Sequence, residues 1–323
     1  MRALVCEQYG PPSSLVMKDL PNPEAGADEA VVAIHAAAIN FPDLLIIENR
    51  YQVSIPVPFT PGSEFAGEVL SVGSNVSNVK PGDLVMGGSF VGCFAEQICV
   101  QATTLKPIPA GLTIAQAAAF SVTYRTSYHA LVTIGELKEN DWVVVLGAAG
   151  GVGTAAVDLA TRLGAKVIAV ASSDERLAVC KNLGAVAGIN YTTENLKERI
   201  KEITGSGADV VIDPVGGSYS EEAFRAIAWG GRFVVVGFAD GDIPRIPLNL
   251  PLLKGGIIKG FEIRTVAEHL PEEVAKGDEI LNEMTKQGLV PHVSDVFRLE
   301  QAIDALECVA SRKSTGKVLI CPE

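Results

Sequence analysis

Aromatic residues are scarce, 6% of 323 residues with only two tryptophans, and nowhere does an uninterrupted apolar run reach the ~18 residues a membrane-spanning helix needs. The start, Met1-Arg2-Ala3-Leu4-Val5, enters a strand-like pattern directly and lacks the architecture of a secretory leader, so a soluble, cytoplasmic protein with no membrane partner is expected. Long basic runs are missing too. With a net charge of −12 and acids and bases mixed along the chain, nothing can track a phosphodiester backbone, so no nucleic-acid partner is expected and the acidity serves solubility. The six cysteines, Cys6, Cys93, Cys99, Cys180, Cys308 and Cys321, have no paired spacing. That excludes a disulfide framework and a cysteine zinc cluster, and leaves reduced, mostly core thiols. The histidines His35, His129, His269 and His292 have no spacing that converges on a metal. Repeats and low-complexity segments are absent.

What is present is apolar bulk. Hydrophobic residues make up 48% of the chain, and this length exceeds what one core usually supports, so two domains are expected. From Met1 to about Phe120, short strands alternate with Gly and Pro punctuation: residues 2–6, 29–38, 65–72, 84–86 and 94–100, with turns at Lys80-Pro81-Gly82-Asp83 and Pro109-Ala110-Gly111. This reads as a small, barrel-like β domain. A helical stretch over 114–134 then leads to strands near 142–147, 166–171, 209–213 and 231–237, separated by helices near 151–163, 174–183, 194–204 and 219–228. Such alternation predicts a doubly wound parallel sheet. A further strand pattern covers 256–263. Helices near 270–287 and 299–310 and a closing strand over 317–321 follow, and this tail is expected to rejoin the first domain.

The sharpest motif is Trp142-Val143-Val144-Val145-Leu146-Gly147-Ala148-Ala149-Gly150-Gly151-Val152-Gly153, an apolar strand entering a glycine-rich turn and a helix. Gly150 and Gly151 would let backbone approach a pyrophosphate, Gly153 would allow close helix–strand packing, and the helix would present its N-terminus to the anion. Ala148 replaces the first glycine of G-x-G-x-x-G, but the second buried strand, Lys166 to Ala171, completes a βαβ unit. That strand ends without the carboxylate that would hold the 2′-hydroxyl of NAD. It runs instead into Ser172, Ser173 and, after Asp174 and Glu175, Arg176. Hydroxyls and a guanidinium suit a 2′-phosphate, so NADPH is the expected cofactor. The same residues also read as a charged first helical turn capped by Ser173.

The order of elements and seven motifs together resemble the zinc-free quinone oxidoreductases, the zeta-crystallin-like branch of the medium-chain dehydrogenase/reductase superfamily. Those motifs are Ala38-Ile39-Asn40-Phe41-Pro42-Asp43, Pro61 to Val69, Val79 to Val85, Tyr124 to Tyr128, Ala149 to Gly153, Gly188-Ile189-Asn190-Tyr191 and Thr315-Gly316-Lys317-Val318. The resemblance implies an α/β chain in which a GroES-like β-barrel catalytic domain, 1–120 and 260–323, carries a Rossmann NADPH-binding domain, 121–259. Where the zinc-dependent branch has a cysteine with an aspartate, and later Gly-His-Glu, this chain reads Asn40 with Asp43 and Gly62-Ser63-Glu64. No metal is expected. By the resemblance, Asn40 and Asp43 line the cleft floor beside the nicotinamide, Thr126 meets its carboxamide and Tyr51 stands at the substrate mouth. Ala149, Gly150, Gly151, Val152 and Gly153 hold the pyrophosphate. Ser173, Arg176, Tyr191 and Arg312 surround the adenosine ribose and its phosphate, and Phe238 completes the cofactor set. Arg312 reads equally as a solvated cation. Leu45 stands where some relatives carry tyrosine, and Gly260 to Arg264 lacks their aromatic stretch.

Without a metal or a strong acid at a carbonyl oxygen, a simple ketone is a poor substrate. A quinone or activated alkene spreads the incoming charge and needs mainly positioning. The expected activity is NADPH-dependent reduction of quinones by electron or hydride transfer, with Tyr51 or solvent supplying the proton. The alternatives are an enoyl or 2-alkenal reductase on the same fold, and a non-catalytic NADPH-binding sensor or structural protein. A homodimer is expected from the resemblance, and the apolar run Ile246 to Leu253 reads either as an interface or as a substrate-cleft wall.

Overall fold

Alternating small and β-branched residues make Glu29–Ala38 the organising strand of the N-terminal part. In the computed structural model, which describes residues 1–322, this strand belongs to a unit formed by Met1–Val122 together with the chain from Met284 onward. Its seven-stranded sheet runs Val293–Arg298, Lys317–Cys321, Glu29–Ala38, Glu64–Val72, Leu84–Gly88 and Lys106–Pro107, with Gln97–Gln101 paired to Glu29–Ala38 off that path. One edge of the Glu29 strand therefore serves two neighbours in succession. Its first half pairs with Gln97–Gln101, and Ala37 and Ala38 pair with Ile320 and Leu319. Irregularities at Val31/Val32 and Ile34/Ala36 on the side facing Glu64–Val72 let the strand bend. Gly67 has to be glycine there, since a Cβ would sit 1.9 Å from the Ala33 carbonyl oxygen.

The core of this unit joins Leu4, Ile34, Ile47, Phe65, Val85 and Phe94 to Leu299, Leu306 and Ile320 of the tail. Each fully buried side chain of this size contributes about 1.5–3 kcal/mol, so the tail is bound by burial as well as by strand pairing. The short helix Phe41–Ile47 has no counterpart in the expectations above. It starts with a reciprocal cap in which the Asn40 side chain faces the backbone of Asp43 and the Asp43 side chain accepts from Asn40 N–H.

The second unit, Thr123–Glu283, carries a six-stranded sheet ordered Ala187–Asn190, Lys166–Ala171, Trp142–Leu146, Ala208–Asp213, Ile227–Val235, Ile257–Gly260, parallel throughout. Val143, Val144, Val145, Val211 and Ile212 are fully buried, as expected for strands covered on both faces. Helices Gly151–Arg162, Asp174–Asn182, Leu196–Thr204 and Ser218–Arg225 alternate with them. The strand order reverses between Trp142–Leu146 and Ala208–Asp213, and sheets of this kind take ligand at the carboxyl ends flanking that reversal.

The expected single helical stretch over 114–134 is three pieces, Ile114–Ala118, Ser121–Tyr128 and a π-helical His129–Ile134. The expected strand over 256–263 ends at Gly260, and a helix begins at Ile263. Residues 260–283 group with this second unit. Arg125 pairs with Asp278 at 2.8 Å, and Gly277 packs so closely on Tyr128 that a Cβ would approach its ring to 2.9 Å. No helix among the described residues is long and apolar enough to cross a membrane.

Candidate functional site

The strand Trp142–Leu146 ends in Gly147, whose φ of +58° starts the turn. Gly153 is required by packing, because a Cβ there would stand 2.2 Å from the Gly147 carbonyl oxygen. Gly150 is the N-cap of helix Gly151–Arg162, with no side-chain cap and no acid in the first turn. A helix N-terminus left uncapped, unblocked by acids and placed at the sheet's reversal is suited to a phosphate anion. The helix start is held from outside: Ser127 donates from its hydroxyl to the Val152 carbonyl at 3.0 Å, and Tyr124 donates to Asp158 at 2.9 Å. Thr126 is buried on the same helix as Ser127.

Beside this turn lies a group that no sequence motif above includes. Asp213, 1% exposed, ends its strand and accepts from Val215 N at 2.9 Å, Gly216 N at 2.8 Å and the Ser220 hydroxyl at 2.5 Å. Burial pushes its carboxyl up, and these donors pull it back. The turn so fixed forms a wall next to Gly147, where a Cβ would meet Val215 at 2.7 Å. Phe238 lies against the same turn, 2.9 Å from where a Cβ on Gly216 would be. The available signal was an Asp closing an apolar strand ahead of Pro214-Val215-Gly216-Gly217.

At the end of the second strand, Ser173 caps helix Asp174–Asn182, its hydroxyl accepting from Arg176 N at 3.4 Å, with Asp174 and Glu175 in the first turn. Asp174 is engaged by Asn190 Nδ2 at 3.0 Å. Tyr191 N–H donates to the Ala171 carbonyl at 3.1 Å, and its ring lies 4.5 Å from that of Tyr219. The structure thus brings Ser173, Arg176 and Tyr191 to one strand end. The capping role of Ser173 is present, and a hydroxyl that accepts keeps its own hydrogen for a second partner.

In the first unit the register opposes Ala38 to both Glu64 and Leu319, which draws Asn40, Glu64 and Lys317 together. Lys317 is 3% exposed. Its ammonium donates to the Ile39 carbonyl at 2.9 Å, Asn40 Oδ1 at 2.7 Å and Glu64 Oε1 at 2.7 Å. Asn40 Nδ2 in turn donates to Glu64 Oε1 at 2.9 Å and to the Ser63 hydroxyl at 3.3 Å, and Glu64 Oε2 accepts from Val122 N at 3.0 Å. The Asn40 carboxamide is therefore spent within the cluster. Asp43, 1% exposed, accepts from Asn40 N at 2.7 Å through Oδ2, while its Oδ1 has no hydrogen-bond partner among the described residues. Burial pushes its carboxyl up to about 7, with Glu64 adding repulsion and Asn40, Ser63 and Lys317 opposing. In the sequence Lys317 stands out only as part of a motif, since a lone lysine in a short strand gives no sign that it faces inward.

Tyr51 is half-buried and packs on Phe90, ring centroids 5.9 Å apart. Arg312 is exposed in the first unit, with a left-handed backbone at φ 56°. Among the described residues no three His, Cys, Asp or Glu side chains are arranged to hold a metal. The polar set of Asn40, Ser63 and Glu64 fits zinc poorly, because an amide and a hydroxyl are weak ligands and the carboxylate already binds an ammonium.

Residues 26–110 match the alcohol dehydrogenase GroES-like domain, and residues 151–279 match the zinc-binding dehydrogenase domain. Together they define a medium-chain dehydrogenase/reductase. The chain is 39% identical to the quinone oxidoreductase-like protein 2 homolog of Nematostella vectensis, covering 99% of this chain and 88% of that relative. It superposes on the Escherichia coli quinone oxidoreductase complexed with NADPH with a TM-score of 0.91 at 28% identity, both chains covered completely. On the quinone oxidoreductase from Thermus thermophilus the TM-score is 0.87 at 32% identity, covering 99% of this chain and all of that one. The chain belongs to the quinone-oxidoreductase branch of the medium-chain dehydrogenase/reductase superfamily.

Proposed function

We propose that the chain is an NADPH-dependent, metal-independent oxidoreductase that reduces quinones and similar electron-poor conjugated molecules. The observation that carries this is the bare N-terminus of helix Gly151–Arg162 behind Gly150, at the reversal point of the parallel sheet. Ala149 to Gly153 would hold the pyrophosphate with backbone N–H groups. Ser173, Arg176 and Tyr191 would take the adenosine ribose and its 2′-phosphate, with Arg312 as a further cation and Phe238 at the nicotinamide end. When bound, the reduced nicotinamide supplies a hydride equivalent. The protein's own work is then to orient and to exclude water: Thr126 sits one residue from the side chain that holds the phosphate helix, and the tilted Tyr51–Phe90 pair offers an apolar face to a flat acceptor. Asn40 and Lys317 fix the polar floor, where Asp43 is the least satisfied group.

The assay is a steady-state panel on metal-stripped protein, with NADPH and NADH each run against quinones, enals and enoyl thioesters. NADPH-dependent quinone turnover is expected; turnover of an enoyl thioester alone would overturn the substrate assignment. Binding of NADPH with no oxidation by any acceptor would favour a sensor.

We also propose a homodimer. Ile257–Gly260 ends the parallel sheet, and around it Trp229, Leu248, Leu252, Leu253 and Ile258 are exposed. An unpaired edge beside so much exposed apolar surface calls for cover, and a second copy meets it with the same strand. Light scattering should report twice the chain mass; the single-chain mass at micromolar concentration would refute the dimer. Six free thiols suit the cytoplasm, where this reading places the protein, with neither nucleic acid nor membrane as partner.

A further inference from the structure

The polar floor of the first unit holds one cation and two carboxyl groups, and the cation is fully committed. An ammonium has three donors, and those of Lys317 go to Ile39 O, Asn40 Oδ1 and Glu64 Oε1. Glu64 is thereby the compensated carboxylate, with Asn40 Nδ2 and Val122 N completing its shell. Asp43 has one well-formed hydrogen bond, from Asn40 N to Oδ2, and none at Oδ1, while the Ser63 hydroxyl stands near enough to favour its ionised form without closing such a bond. Leaving a charged oxygen buried and unpaired is costly. A proton on Oδ1 removes the charge and turns an orphan acceptor into a donor.

The neighbouring hydroxyl gives that proton somewhere to go. Ser63 is joined to Asp43 through Asn40, whose Nδ2 donates to the Ser63 hydroxyl at 3.3 Å and whose backbone N–H donates to Asp43; its hydroxyl opposes the rise of the Asp43 carboxyl, and it is half-buried where Asp43 is enclosed. It is the member of the group through which the interior meets the surface of its unit. Resting on the reductase reading above, we propose that Asp43 is a stored acid and Ser63 its outlet, a catalytic hydroxyl that passes the Asp43 proton to the oxygen of the reduced acceptor.

The atoms balance. The Asp43 O–H bond breaks as a new O–H forms on Ser63, whose own hydrogen leaves to form the O–H of the product. The electrons and hydride equivalent come from the reduced nicotinamide, and solvent returns a proton to Asp43. The charged and titratable groups facing Asp43 are Lys317 from the closing strand, Glu64 from its strand and Cys93 from the loop ahead of Gln97. Burial first, then Asp43 and Glu64, push the Cys93 thiol well up, so it stays neutral and does not compete. The rise of Asp43 toward 7 places the store in the range where a general acid works best at neutral pH.

The test has an arm that needs neither cofactor nor acceptor. In the protein alone, the carboxyl carbon of Asp43 is followed by NMR across pH, assigned by its loss in Asp43→Asn. The expected midpoint lies near 7 and moves higher in Ser63→Ala, which removes a group that favours the ionised form. In turnover, Ser63→Ala should lower kcat by about 10²-fold, the low end for general acid catalysis. KM should hold and Ser63→Thr should restore the rate. An Asp43 midpoint near 4, or Ser63→Ala turning over at the unaltered rate, would overturn the proposal. If the unaltered protein reduced no acceptor while Asp43 still titrated near 7, the reductase reading and the delivery step would fall together and the stored proton would stand.

Discussion

Replacing Lys317 with Met keeps the length of the buried stem and removes the cation. Glu64, 1% exposed, would then retain Asn40 Nδ2 and Val122 N as donors but lose its counter-ion, and the Ile39 carbonyl and Asn40 Oδ1 would each lose a donor. Breaking one side of a buried pair costs about 3–5 kcal/mol. For a protein of this size each kcal/mol moves the midpoint by roughly 2–4 °C, so Lys317→Met should lower Tm by about 6–20 °C. Because the chain has two units, the readout should report on the first, for instance hydrogen exchange of Phe65 and Leu319 amides alongside calorimetry. The double variant Lys317→Met with Glu64→Gln removes both charges and should recover more than half of the loss, which separates the ion pair from simple packing. A loss under about 1 kcal/mol in the single variant, or no recovery in the double, would refute the claim that this pair organises the floor.

Asp43 makes a pH prediction with a definite sign. Its folded-state value near 7 lies above the ordinary 3.8, so its contribution to stability is complete below about 4 and is lost as pH rises through 7. The difference corresponds to about 4 kcal/mol. Denaturation of the unaltered protein and Asp43→Asn at pH 5 and 8 should therefore show the variant gaining relative stability toward pH 8; a constant difference contradicts the assignment. For the cofactor, Arg176→Ala should weaken NADPH by about 10- to 100-fold, the equivalent of one charge-assisted bond, and change NADH less than about 2-fold; equal losses would remove Arg176 from the 2′-phosphate. Gly153→Ala would place a methyl 2.2 Å from the Gly147 oxygen. It should cost about 1–3 kcal/mol of stability by overpacking and weaken both dinucleotides alike, checked by calorimetry and titration.

Much of this architecture is written in local pattern. The strands at Trp142, Lys166 and Ala208 stand within about one residue of their expected bounds and the helices after them within about three, because continuous apolar runs bounded by glycine turns have few other solutions. Val293–Arg298 was missed: Val-Ser-Asp-Val-Phe-Arg has too little apolar content to announce a strand, and it exists because it pairs with Lys317–Cys321. The helix Phe41–Ile47 was hidden by its β-branched residues and its shortness, and its start is fixed by the Asn40–Asp43 cap.

The candidate site divides in the same way. A glycine that permits close packing is legible one residue at a time, as Gly153 was, where a Cβ would stand 2.2 Å from the Gly147 carbonyl oxygen. The inward placement of Lys317 and the turn held by Asp213 depend on register and on partners far away in sequence. The resemblance singled out Asn40 and Asp43, but not the fact that the Asn40 carboxamide is fully engaged by Lys317, Glu64 and Ser63.

The most direct measurement is an amide NMR titration of the protein with NADPH. The account predicts that the largest shifts fall on the N–H groups of Gly150 to Gly153, with a second set at Ser173, Arg176 and Tyr191. NADPH binding that leaves Gly150 to Gly153 unmoved and perturbs amides elsewhere would contradict it.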